Sequence, residues 1–154
     1  MPGGSAGIFL FNDPMAGYSG TPLAKKLGIK AGARVFVANG PPNYRQLLEP
    51  LPDEMSILSA LRGKVDLIHV FVTEAADLAA KLESYRQRIV ENGAIWVSWP
   101  KKAAKVTTDV TEDVVRALAL PLGLVDIKVC AVDDTWSGLK LVIRVENRKG
   151  VTER

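Results

Sequence analysis

Three short stretches of this chain carry side chains suited to chemistry: Lys101-Lys102 with Lys105 close by, Asp133-Asp134 ahead of Trp136, and the single histidine, His69. The lysine pair directly follows the apolar run that ends at Pro100, a placement that suits a phosphate or a carboxylate because each ammonium is a compact point charge with three donors. Paired carboxylates in the turn D-D-T-W-S-G suit acid-base work or a hydrated metal, although aspartates in turns more often bond their own backbone. His69 stands in the middle of D-L-I-H-V-F-V, away from either end, where a core histidine with one satisfied nitrogen is the expectation. Cys130 lies within an apolar run and reads as inert packing. No Ser-His-Asp arrangement, P-loop or zinc spacing is present.

The element that positions these groups is Gly93 to Lys102, G-A-I-W-V-S-W-P-K-K. Its near-continuous apolar run predicts a strand covered on both faces, and Pro100, which cannot donate to the next ladder position, ends it. Lys101 and Lys102 are thereby placed at the carboxyl end of the strand, the edge at which open α/β sheets bind ligands. Asn39, Thr73, Trp99, Asp133 and Trp136 fall at neighbouring strand ends or turns and complete the predicted crest, with Trp99 and Trp136 as an aromatic wall.

Around that strand the pattern alternates. Thr21 and Pro22 open a short helix that Gly28 closes, and Val35 to Val37 form a strand ending at Asn39-Gly40-Pro41-Pro42. Asn43 caps a helix through Leu48, and Met55 to Leu58 is a brief strand. Asp66 to Thr73 is a strand rich in β-branched and aromatic residues. Leu78, Leu82, Tyr85 and Ile89 then recur at helical spacing, and Asn92-Gly93 closes that helix. Asp109 and Glu112 form a capping pair for a helix carrying Val110, Val114 and Leu118. Val125 to Val132 and Leu139 to Val145 predict an antiparallel pair. The fold class is a single-domain, Rossmann-like α/β sheet, mostly parallel, with helices on both faces and a C-terminal antiparallel strand pair.

At 154 residues the chain has the size of one domain, and 47% hydrophobic with 24% charged residues is the balance of a chain that buries a core. Residues 1–14 read as a leader or an extension, 15–148 as the domain and 149–154 as a polar tail. Twenty basic against 17 acidic side chains leave a net charge of +3, which tolerates a small anionic ligand without calling for nucleic acid. One cysteine excludes an intramolecular disulfide framework, and no run approaches a membrane span, so a cytoplasmic setting is expected.

The element order over residues 31–146 resembles a shortened class I methyltransferase domain, which also ends in an antiparallel strand. That resemblance implies S-adenosylmethionine, held by a glycine-rich first loop and an acidic side chain at the end of the second strand. Here the loop has one glycine and two prolines, and the second strand ends near Leu58-Ser59 without a carboxylate. The expectation from these departures is that S-adenosylmethionine does not bind. G-Y-S-G-T-P-L-A-K-K-L-G-I-K at 17–30, W-V-S-W-P-K-K at 96–102 and V-D-D-T-W-S-G-L-K at 132–140 are similar to a family of small bacterial proteins known as a domain of unknown function. That resemblance implies neither reaction nor ligand. The sequence therefore favours a binding or regulatory module with a small-anion site at the carboxyl edge. A diverged methyltransferase-like enzyme acting on a small anionic substrate is the alternative. An interaction module working through a homo-oligomer face or partner groove, without a small ligand, is the third reading.

Overall fold

The computed structural model describes residues 20–148. The expected leader, the start of the domain at Met15 and the polar tail fall outside that range. Six strands form one sheet in the order β2-β1-β3-β4-β6-β5, where β1 is Arg34–Ala38, β2 Ser56–Leu58, β3 Val65–Phe71, β4 Ile89–Pro100, β5 Leu124–Ala131 and β6 Trp136–Ile143. The first four run parallel, and β6 with β5 adds the antiparallel pair beside β4. Helices α1 (Leu23–Leu27) and α2 (Tyr44–Leu48) cover one face, and α3 (Ala75–Arg88) and α4 (Glu112–Ala119) the other. No helix among the described residues is long and apolar enough to cross a membrane.

Each face has its own core. Leu78, Leu82 and Tyr85 of α3 and Val115 and Ala119 of α4 pack on Ile68, Val70, Ile95 and Val97. On the other face, Leu27, Tyr44 and Leu48 pack on Val35, Leu67, Phe71 and Trp96. The Trp96 indole donates to the Leu27 carbonyl at 2.9 Å, which ties α1 to the centre of the sheet. Gly138 of β6 makes room for that indole, because a Cβ there would stand 3.2 Å from the ring.

Three local expectations are corrected. Helix α1 begins one residue later, with Pro22 at its N-cap and Gly28 left-handed at its end. Gly93 does not close α3 but lies inside β4, where the chain bulges between the pairings Val65 with Ile89 and Leu67 with Ala94. Asp109 does not cap its own helix. Thr111 does so, accepting from the Val114 N–H at 3.2 Å, while Asp109 reaches across to accept the Ala75 N–H of α3 at 2.7 Å.

The connection from β2 back to β3 is unusually spare. Residues 59–64 return the chain to the amino end of the sheet without a helix, which six residues can do because β2 spans only three. Leu61 packs into the core on the α3 side, and the Arg34 guanidinium holds this crossover by donating to the carbonyls of Lys64 and Arg62.

Candidate functional site

The carboxyl edge of the parallel strands is organised by a hydrogen-bonded chain beneath it. The Tyr44 hydroxyl lies 2.7 Å from His69 Nδ1, and His69 Nε2 lies 2.7 Å from Ser98 Oγ. All three residues are buried, and His69 and Ser98 are fully enclosed. Burial disfavours the charged imidazolium and lowers the His69 pKa to about 3, while it raises that of the Tyr44 phenol. His69 is thus the expected core histidine, with both nitrogens rather than one engaged, and it acts as a neutral spacer. Its ring stacks on Phe71, with centroids 4.3 Å apart, and Phe71 in turn meets Trp136 edge-on at 5.0 Å.

The other side of the Tyr44 ring faces a crevice of about 350 Å³ at the carboxyl ends of β1 and β2. Val37, Ile57 and Leu58 form its apolar walls, and Gly40, Ser59 and Arg45 stand at its margin. The topological switch point of this sheet lies between β1 and β3, whose following helices α2 and α3 go to opposite faces, and the crevice lies next to it, on the β2 side of β1. Gly40 keeps the crevice tight at that point, since a Cβ there would stand 2.6 Å from Val37 Cγ1. Sequence reasoning did not find the crevice. Its signal was Gly40 immediately after a strand, discounted because of the two prolines beside it.

The predicted crest residues divide. Asn39, in the left-handed region at φ 59°, is exposed at the end of β1. The Thr73 carbonyl is already occupied by the Thr108 hydroxyl at 2.6 Å and the Asp109 N–H at 3.3 Å. Lys101 is half-buried, with its backbone N–H on the Thr135 carbonyl, and Lys102 is exposed at the start of a short helical turn. Asp133 accepts the N–H groups of Thr135 and Trp136, both at 2.8 Å, so this carboxylate is a turn former. Trp136 is half-buried on the α2 face. Trp99 is a correction: it is 9% exposed and packs with the α3 and α4 core, so the two tryptophans lie on opposite faces and form no common wall.

No protein-family model matches the chain, and no curated protein matches it. Solved structures do match. The magnesium protoporphyrin IX methyltransferase of Synechocystis PCC 6803, crystallised with bound S-adenosylmethionine, superimposes with a TM-score of 0.52 at 9% identity, over 79% of this chain and 74% of that one. An S-adenosylmethionine-dependent methyltransferase of Aquifex aeolicus gives 0.54 at 14% identity, over 79% and 88%. An O-methyltransferase of neocarzinostatin biosynthesis, in complex with S-adenosylmethionine and 2-hydroxy-5-methyl naphthoic acid, gives 0.58 at 12% identity, over 83% and 51%. The fold is that of the class I methyltransferases.

These neighbours overturn the expectation set against S-adenosylmethionine, because structures sharing this fold hold that cofactor. Of its two physical grounds the loop falls away, while β2 still ends at Leu58 with Ser59 and no carboxylate lining the crevice. Pro41 and Pro42 do not fill the space after β1: Pro41 lines the crevice and its carbonyl accepts the Tyr44 N–H at 3.0 Å, which turns the chain down into α2 and leaves the edge open. The comparisons likewise favour the methyltransferase-like reading over that of a binding or regulatory module.

Proposed function

We propose that this domain binds S-adenosylmethionine in the crevice at the carboxyl ends of β1 and β2 and methylates a small anionic acceptor held over the crest by Lys101 and Lys102. The observation that carries the reading is a crevice of about 350 Å³ at the carboxyl ends of β1 and β2 in a methyltransferase-like sheet, within the roughly 300–1,000 Å³ range of small-ligand sites. Bound there, the cofactor would supply an electrophilic methyl group. The chain supplies binding and orientation: Val37, Ile57 and Leu58 offer apolar walls to an adenine ring, and Ser59 offers a hydroxyl where a carboxylate was sought. The buried Tyr44-His69-Ser98 chain fixes the Tyr44 ring as the inner wall. One neighbour carries an aromatic carboxylic acid beside S-adenosylmethionine, which is in keeping with an anionic acceptor.

Calorimetry with S-adenosylmethionine and S-adenosylhomocysteine tests this. The expected dissociation constants are micromolar, about 8 kcal/mol of binding free energy. Ser59→Trp, at an exposed position, should fill the crevice and abolish binding without lowering the melting temperature. Absence of saturable heat from the parent at millimolar ligand would refute the proposal.

A further inference from the structure

A second and larger cavity, of about 630 Å³, lies at the opposite end of the sheet. Its walls are the loop from Gly28 to Ala33, the bulged start of β4 at Asn92 to Ala94, and the ends of β5 and β6 that lie beside them. Leu27, Ile29, Val125 and Val142 make much of the lining apolar. Lys30, Lys140 and Arg148 bring cations to it. Asp66 is the one carboxylate among the described residues on the wall, and it accepts the Arg34 backbone N–H at 2.8 Å.

The register explains why the lysines gather. Lys140 of β6 stands opposite Trp96 of β4 on one side and Lys128 of β5 on the other. Residues directly opposite in an antiparallel ladder share a face, so both lysines lie on the face that α1 covers. Helix α1 is five residues long and stops at Gly28, where a Cβ would be 3.1 Å from Lys140 Nζ. Lys128 turns its ammonium to the Lys26 carbonyl at 2.8 Å. Lys140 remains half-buried, and no carboxylate among the described residues pairs with it. Its pKa is lowered by burial first, then by Lys128 and Lys30. A half-buried ammonium crowded by two others is unfavourable unless an anion joins them.

We infer that this cavity binds a small organic anion with an apolar body: a carboxylate or phosphate monoester head against Lys140 and Lys30, and an alkyl or aryl body over Leu27, Ile29, Val125 and Val142. The two lining chemistries demand the two halves of such a ligand. An inorganic anion would leave the apolar wall in water, and an uncharged alcohol would leave the ammonium groups unmatched. The site is separate from the crevice at the carboxyl edge and does not depend on what binds there.

The test uses the full chain at low salt, with octanoate and octyl phosphate as probes and octanol and inorganic phosphate as their halves. At least one amphiphilic anion should bind saturably, and the better of the two identifies the head group. Each half-ligand should bind about tenfold more weakly or worse, and Lys140→Met should weaken the anion by about tenfold or more, as expected for loss of a charge-assisted bond. Lys30→Ala, on an exposed loop position, should weaken it several-fold and leaves the packing untouched. Ser59→Trp should bind as the parent does. The inference is overturned if no probe saturates, if octanol matches octanoate, if both lysine variants bind like the parent, or if Ser59→Trp removes binding and so moves the anion to the crest.

Discussion

Acid should loosen this fold through one side chain. His69 is the only histidine in the chain, so no other side chain with an ordinary pKa titrates between pH 5 and 7. In the unfolded chain it protonates near 6.5, while in the folded protein burial holds its pKa at about 3. Between those values the unfolded state binds more protons. Stability is therefore fully present above the unfolded pKa and is lost as pH falls toward the folded one. At about 1.4 kcal/mol per pH unit, unfolding free energy should drop by about 2 kcal/mol between pH 7 and pH 5. That is a sizeable fraction of the roughly 5–15 kcal/mol typical of a domain. Urea unfolding at the two pH values measures it directly. Replacing the whole chain with Tyr44→Phe, His69→Leu and Ser98→Ala should leave stability at pH 7 nearly unchanged, because donors and acceptors are removed together, and should abolish the loss at pH 5. An equal loss in parent and triple variant would refute the argument, since the titrating group would then not be His69.

Two further predictions concern packing and capping. Gly138→Ala should destabilise by about 1–3 kcal/mol in urea unfolding, because its methyl group would meet the Trp96 ring at 3.2 Å and Val132 Cγ2 at 3.3 Å, neither on a flexible tip. Asp109→Ala should cost about 1 kcal/mol by releasing the Ala75 N–H at the start of α3, and hydrogen exchange should quicken there rather than in α4.

The sheet was legible because its punctuation is local. Pro100 ends β4 where expected, Gly28 ends α1, and the change from an unbroken apolar run to period 3.6 after Thr73 marks α3. Face assignment was not legible in β4, since residues 93–100 are buried without alternation. Trp96 and Ser98 therefore could not be told from Trp99, although they face opposite cores. The one polar residue in that run, Ser98, was the available sign of a partner across the sheet, and His69 is that partner. Asp109 misled because a capping pattern read along the chain cannot reveal a helix start supplied from 34 residues away. The lysine cluster needed only register: a hairpin turning at Asp133-Asp134 sets Lys128 opposite Lys140. Its depth depends on the shortness of α1, which Pro22 and Gly28 did show, and on which strand face α1 covers, which they did not.

The attachment of α1 bears on the order in which the chain acquires its structure. A five-residue helix has too few turns to persist alone in water. Its anchors are the Trp96 indole on the Leu27 carbonyl and the Lys128 ammonium on the Lys26 carbonyl, at sequence separations of 69 and 102 residues. During synthesis, at roughly 5–20 residues per second, these carbonyls emerge seconds before the side chains that bind them. The α1 segment is thus made early and docked late: its hold on Trp96 waits for β4, and its hold on Lys128 waits for β5.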